Sequence, residues 1–432
     1  MNPAAPTHIR HRIIAVSMLM AFILYLDRIC MADILKSASF RADVPLSNDE
    51  LGRVMGAFFL SYALFQVPAG WASDRFGARK MLTAYIVLWS VLTGLTGLVS
   101  SFTGLLIVRL LFGAAQAGAF PTSGAVIRRW MPLTSRARAS SMVSLGGRLG
   151  GTFAPFLTAW MVVNLGHWRR PLWVDCVLGL SIAALYWHIV RDRPEEHPGC
   201  NDAERAVIGQ PPVEKPVPTG EVLAMLGAFC RSRSLWLNAA GQFLVNVGWV
   251  FLVTWLPLYL KEQKGVEDVA GGRMVTVALA FGMLGQLVGG VLADWSVRRF
   301  GPRWGRVWPM SASGLLAGSA YLGCLQMDSA WGVIACCAVV SFAVDMGNPA
   351  IWAFMQDVGG RATAAAFGWG NMWGNFGASA MSMLVPVLVA MGTSGEAGQR
   401  NVFLVCAGAL FLYSVIALGM DATKPVLKPA TN

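Results

Sequence analysis

At 432 residues, with 55% hydrophobic and only 13% charged residues, the chain is too apolar for the two or three soluble domains its length would otherwise allow. A formal charge of +11 could mark a nucleic-acid binder, but Lys and Arg gather in short loops that alternate with acidic or neutral ones. That bias orients membrane helices with positive loops inside, so the basic excess is topological and implies no nucleic acid.

Apolar stretches of about 20 residues, enough to cross the hydrocarbon core, recur along the chain. The first, Ile13 to Cys30, follows Arg10 and Arg12 as a signal peptide would, yet it lacks a small-residue cleavage site and carries Asp27 and Arg28. It is read as a retained span of about 13–35. Further spans are expected at 50–73, 80–100, 104–126, 139–164 and 171–191, completing an N-terminal six-helix bundle in residues 1–190. Residues 191–231, RDRPEEHPGCNDAERAV then QPPVEKPVPTG, read as a cytoplasmic linker rather than a folded unit. Spans at 233–259, 270–295, 306–326, 331–356, 363–391 and 401–421 give a C-terminal bundle in 232–432 and twelve helices in all.

The loops DRFGARK, RRWMPLTSRAR, the linker and RRFGPRWGR fall on one face, and RADVPLSNDE, SSF and QMDS on the other. Both termini are therefore expected in the cytoplasm, with the chain multi-pass in the cell (inner or plasma) membrane. The outer loop GHWRRP is a basic exception.

GWASDRFG begins at Gly70 after the second span, and GGVLADWSVRRFG has its comparable glycine, Gly290, after the eighth, an offset of 220 residues. A repeated loop at corresponding places indicates duplication, with a substrate site near the midplane where the halves meet. The expected fold is all-α, two pseudo-symmetric six-helix bundles. Gly70 would let helix ends approach, Asp74 would cap or pair across the contact, and Arg75 and Arg79 would latch to the neighbouring bundle.

An ionised side chain at bilayer depth costs on the order of 2.5–3.5 kcal/mol, so each needs a partner, a cavity or a ligand. Asp27, Arg28, Arg109, Arg148, Asp175 and Asp345 are such residues, three Arg against three Asp. Gly113 and Gln116 share the helical face of Arg109, whose guanidinium suits a carboxylate ligand or, alternatively, a structural salt bridge to Asp27. Arg148 stands among Gly146, Gly147, Gly150 and Gly151, small residues that let helices pack closely; it is either a second cation for the substrate or a partner for Asp175. In the second half Asn348, Trp352, Asn371 and Asn375, with Gln242, Asn246 and Trp249, supply groups suited to hydroxylated cargo or to interhelical hydrogen bonding. The eight cysteines form no CxxC pair and read as small buried hydrophobes, so no metal or cofactor is expected. No nucleophile–base arrangement points to an enzyme.

GWASDRFGARK and its echo resemble the cytoplasmic loop motif of the major facilitator superfamily, implying a conformational role for Gly70, Asp74, Arg75, Gly77, Asp294 and Arg298. YLDR at Tyr25, QVPAGW at Gln66, RLLFGAAQAGAFP at Arg109, RDRPEEHP at Arg191, TWLPLYL at Thr254 and GNMWGNFG at Gly370 together resemble its anion:cation symporter branch. The resemblance implies that Arg28 contacts the anion, that Arg109 binds or gates beside it, that Tyr25 and Tyr62 stand near the substrate, and that Asp27 carries the proton. Where the family usually has Glu seven residues after the fourth-helix Arg, this chain has Gln116, which cannot exchange a proton. Coupling would then rest on Asp27 alone, use fewer protons, or have moved to Asp175 or Asp345.

The expectation is a monomeric secondary transporter of a small organic anion, a sugar acid or other carboxylate, coupled to protons and working by alternating access. Anion exchange without net proton movement is the alternative, and a cation or drug exporter of the same fold a further one.

Overall fold

The computed structural model describes residues 5–35, 37–209, 215–392 and 395–427. All regular structure among them is helical. In the first half α1 (Ile9–Ile34), α3 (Asn48–Phe76), α4 (Ala78–Thr96), the near-continuous α5 (Phe102–Ala117) and α6 (Ala119–Trp130), α7 (Arg136–Leu165) and α8 (Arg169–Ile189) are the long rods, with a short α2 (Ala38–Asp43) between the first two. In the second half α11 (Arg233–Val250) runs through a π-helical turn, Phe251–Trp255, into α12 (Leu256–Lys264). It is followed by α13 (Asp268–Cys324), α14 (Ala330–Val358), α15 (Thr363–Ala390) and α16 (Gly395–Leu418). A π turn loosens the backbone ladder, and here the Tyr321 hydroxyl donates to the Gly248 carbonyl at 2.5 Å just before it.

Nine spans among the described residues are long and apolar enough to cross a membrane. One of these, Val269–Cys324, is too long for a single crossing and bends at Gly301, φ 74°, where no L side chain fits easily. Gly77, φ 97°, makes the corresponding break between α3 and α4. The rods start where polar loops supply a cap: Ser47 forms a capping box with Glu50, and Ser101, Ser232 and Ser329 accept from N–H groups three residues on.

Residues 191–231 are more ordered than expected of a linker, although 210–214 lie outside the described residues. Asn201 caps a short α9 (Asp202–Ile208), and α10 (Val222–Arg231) leads into the second half. Glu204, on α9, is buried beneath the start of α1. Burial opposes its charge, but the Arg10 N–H, the Thr7 hydroxyl and the Arg10 guanidinium at 3.3 Å hold its carboxyl below the usual range. The linker is thus stitched to the N-terminus.

The basic loop GHWRRP is likewise answered by an acid. Asp43 receives Arg169 at 2.5 Å and the Trp168 indole N–H at 3.1 Å, with the His167 ring 3.3 Å away, and Trp168 is fully buried against Phe40. One of the loop's two arginines is thus neutralised locally.

The last described residues return to the same face as the linker. Val426 N–H donates to the Val358 carbonyl at the foot of α14, and Leu427 lies against Gly360.

Candidate functional site

Two features converge where the halves meet: a closed seam at the linker end and charged residues at mid-depth.

The seam is built by two carboxylates. Gly70 brings α3 so near α15 that any side chain there would overlap the Ala364 backbone. One turn on, Asp74 accepts the Ala364 and Ala365 N–H groups at 3.0 and 2.9 Å, occupying the first turn of α15. Asp294 mirrors it, accepting the Ala137 and Arg138 N–H groups at 3.1 and 3.0 Å at the start of α7. A carboxylate at a helix N-terminus satisfies orphan donors and opposes the positive end of the helix dipole. Around Asp294, the fully buried Arg306 bonds Asp357 at 2.8 Å and the Leu133 carbonyl at 3.0 Å, and Arg136 also reaches Asp357, at 2.6 Å. Gln356 donates to Ser140, Ser141 to the Gln286 carbonyl and Arg128 to the Gly360 carbonyl.

The arginines of the motif behave differently from expectation. Arg79 turns to its own half, donating to the Trp187 carbonyl at 2.7 and 3.0 Å, while its N–H meets Asp192. Arg75 lies over the neighbouring Phe76 and Arg298 is exposed. The cross-half work passes instead to Arg136, Arg138, Arg306 and Asp357. Sequence reading missed these because basic residues in inner loops look alike, and because Arg136 and Asp357 are 221 residues apart.

At mid-depth Arg28 lies among three rings, its guanidinium carbon 4.5 Å from the centre of Tyr62, 4.9 Å from Tyr25 and 5.2 Å from Phe58. Its Nε donates to the Gln116 carbonyl oxygen at 3.2 Å, and the Gln116 amide donates to the Leu24 carbonyl. One terminal nitrogen is buried with no acceptor. Gln116 thus orients Arg28 without neutralising it, as a Glu there would.

Arg148 faces the other way from its glycines. Gly146 and Gly150 press α7 against the backbone of Met18 and Phe22 on α1, so Arg148 between them is turned toward the second half. There it bonds Asp345 of α14 at 2.5 Å and lies 4.6 Å over the Trp249 ring. Its partner is Asp345, not Asp175. Tyr25 stands between the two arginines, with Gly147 against its ring. A line of rings, Tyr25, Phe120, Trp352 and Phe367, crosses from one half to the other with centroids 5.1–6.2 Å apart.

Arg109 and Asp27 occupy a separate, fully packed place inside the first bundle. Asp27 on α1, Asp175 on α8 and Arg109 on α5 are all buried, and both oxygens of each carboxylate and two nitrogens of Arg109 close no hydrogen bond.

The amides of the second half line the packing of α11 on α15. Gln242 points its amide at the Met355 sulfur, Asn246 bonds the Gln242 carbonyl, and Asn375 bonds the Asn371 carbonyl on its own helix. None of them touches Arg28. Asn238, which sequence reading passed over, is buried beside Gly370 with its amide unpartnered. No group of metal-ligating side chains occurs among the described residues.

The comparisons agree with this architecture. A probable sulfoacetate transporter of Cupriavidus necator is 29% identical over 410 residues, covering 94% of this chain and 93% of its own. A probable galactarate/D-glucarate transporter of Escherichia coli is 26% identical over 99% of this chain and 97% of its own, and a hexuronate transporter of Bacillus subtilis 25% over 94% and 93%. Among solved structures, the E. coli fucose:proton symporter FucP superposes with TM-score 0.70 at 13% identity, covering 94% of this chain and 98% of that one. The human organic anion transporter TETRAN gives 0.68 at 15%, over 94% and 99%. The family model of the Major Facilitator Superfamily matches residues 17–382. With its paired capping carboxylates and relatives of the anion:cation symporter branch, the chain belongs to the Major Facilitator Superfamily.

Proposed function

We propose that this protein is a secondary transporter of a small organic anion, a sugar acid or another compact carboxylate, moving it by alternating access across the cell membrane. The observation that carries the reading is Arg28: a guanidinium held by three rings and a neutral amide, with a buried N–H group that lacks an acceptor. A buried donor left unmade costs about 1–3 kcal/mol, and more when charged, so the site is built for an acceptor that arrives with the cargo. A carboxylate meets a guanidinium with two parallel bonds. The curated relatives, whose names specify sulfoacetate, aldarates and hexuronates, agree in chemical class.

In this reading the chain crosses twelve times, counting the bent Val269–Cys324 twice and adding α4 and α7 to the apolar spans. The two halves, 1–190 and 232–432, work as a monomer with both termini in the cytoplasm, following the loop charges. The Asp74 and Asp294 caps hold the cytoplasmic end shut, and Gly77 and Gly301 are the breaks about which adjoining rods turn. Tyr25 and Tyr62 shape the Arg28 pocket, Trp352 offers a flat apolar wall, and the amides of Gln242, Asn371 and Asn375 meet hydroxyls after a change of rotamer. Arg109 supports the first bundle beside Asp27, the proton carrier. Net positive charge at Arg28 disfavours a cationic cargo. Exchange without protons is the second reading, favoured by Gln116, which takes no proton.

Uptake of labelled sulfoacetate, D-glucarate and D-glucuronate into proteoliposomes, with and without an inward proton gradient, tests the assignment. Uptake that rises with the gradient supports symport. Gradient-independent uptake that needs internal anion moves the assignment to exchange, and no uptake of any anion overturns it.

A further inference from the structure

Of the three arginines at mid-depth, Arg109 is only 2% exposed inside the first bundle, whereas Arg28 and Arg148 are half-buried. Arg28 and Arg148 share a neighbour in Tyr25. The Arg28 guanidinium lies 4.9 Å from the ring centre, and α7 presses on the same ring at Gly147, the residue before Arg148. They differ in what holds them: Arg28 has the neutral Gln116, and Arg148 has the carboxylate of Asp345 from the opposite half. That pair is held by one bond, Nη2 to Oδ1 at 2.5 Å, so most of the guanidinium fork is unused. The Trp249 ring, 4.6 Å from the guanidinium carbon, supports Arg148 independently of the carboxylate. The Arg148 side chain is 24% exposed and that of Asp345 4%, so the cation remains reachable while the acid is sealed behind it. Asp345 also has a second donor at hand. Ser341, one turn earlier on α14, is fully buried and its hydroxyl has no partner. A side chain at Gly282 of α13 would strike both that hydroxyl and the Asp345 carboxylate, so the two share one small gap against α13.

We propose that Arg148 is a second anion subsite, occupied by Asp345 until cargo arrives, and that the preferred cargo is an extended dianion with an acidic group at each end. The substrate class named here rests on the transport reading above and narrows it. A monoanion seated on Arg28 leaves Asp345 in place. A dianion held at one end by Arg28 brings its other acid to Arg148, where a two-oxygen group makes paired bonds in place of the single bond from Asp345. Asp345 then turns to the Ser341 hydroxyl, whose unmade hydrogen bond favours the move. With Tyr25 between the two arginines, the acids of the cargo stand at opposite ends of a chain rather than on neighbouring atoms. Asp345 is thus an internal competitor: it neutralises a guanidinium that would be costly alone at that depth, and it sets the threshold a second acid must exceed. The exchange also cuts a bond between the halves at the moment the cargo is seated.

D-glucarate and D-gluconate share one six-carbon chain and differ in the second carboxylate, so titration calorimetry of each on the purified protein in lipid nanodiscs isolates the subsite. Wild type should bind D-glucarate at least about tenfold more tightly, the lower end for a charge-assisted hydrogen bond. Arg148→Gln should erase that preference and leave D-gluconate affinity within about twofold of wild type. Asp345→Asn removes the competitor and should hold or raise D-glucarate affinity. The double variant Arg148→Gln with Asp345→Asn strands no charge, so it separates lost recognition from lost folding; it should bind D-gluconate as wild type does and show no preference. A merely structural bridge predicts equal losses for both anions in all three variants, and that result overturns the proposal. So does a D-glucarate affinity that falls in Asp345→Asn as far as in Arg148→Gln. Equal binding of the two anions by wild type removes the subsite alone, whereas binding of neither fells the transport reading and the subsite with it.

Discussion

Asp74 and Asp294 make the same contact in opposite directions: each carboxylate, from one half, receives two successive backbone N–H groups at the start of a helix in the other. The residues lie 220 apart, the offset of the repeated motif. Because each half caps the other, separating the halves at the linker end would break both caps.

Removing one cap should therefore bias the whole molecule. Asp74→Ala or Asp294→Ala each costs the closed arrangement about 1–2 kcal/mol, the usual worth of a helix cap, shifting the closed-to-open ratio roughly tenfold. Spin-label pairs spanning the two halves at the linker end would register longer distances in each variant. Unchanged distance distributions in both would remove the caps from the gate.

Arg28→Ala should weaken binding of a carboxylate cargo by about 1.5–3 kcal/mol, the range for hydrogen bonds to a charged group. Arg28→Lys should recover only part, since an ammonium neither stacks among three rings nor presents a fork. Tryptophan fluorescence titration or scintillation proximity binding would separate the three proteins; equal affinity in all would place the anion elsewhere.

The Arg148–Asp345 pair joins the halves at mid-depth, with side chains 24% and 4% exposed. Asp345→Leu leaves the partly exposed Arg148 guanidinium without its partner and should destabilise the protein by about 1–3 kcal/mol, whereas Arg148→Met with Asp345→Leu should be close to neutral. A double-mutant cycle on thermal unfolding in detergent reads the coupling, and strict additivity would show that the two charges are independent.

The Asp43 cluster predicts a pH dependence at the opposite end. The Trp168 N–H, and then Arg169, favour its ionised form and hold its carboxyl below the usual carboxylate range. A depressed folded value means that the contribution is complete above the unfolded value of about 3.9 and disappears as pH falls through the folded one. The stability difference between wild type and Asp43→Asn should therefore be constant near neutrality and vanish in strong acid. A difference that grows on acidification would reverse the assignment.

The parts of the molecule governed by local pattern were legible in the sequence. Rod positions followed apolar runs, so the span expected at 363–391 is Thr363–Ala390 and that at 331–356 is Ala330–Val358. The duplication showed because its motif is contiguous. What the sequence left open was which face of a rod meets which neighbour. Arg148 could be placed in a crowded helix as a cation for the substrate or a partner for Asp175, but finding Asp345 beside it needed the glycines on either side of it to be docked on α1. Asp357 and Arg306 lie on separate helices, α14 and α13, and gain a role only when these are folded beside α7. The linker's short helices were hidden because Glu204 looks solvent-bound until the start of α1 covers it.

The last described residues, Pro425 to Leu427, rest on the foot of α14 and on Gly360, the glycine whose carbonyl receives Arg128 from the opposite half. The described tail thereby touches a point that would be displaced if the two halves parted. Under the transport function proposed above, a fluorophore attached at Val426 would report that parting directly.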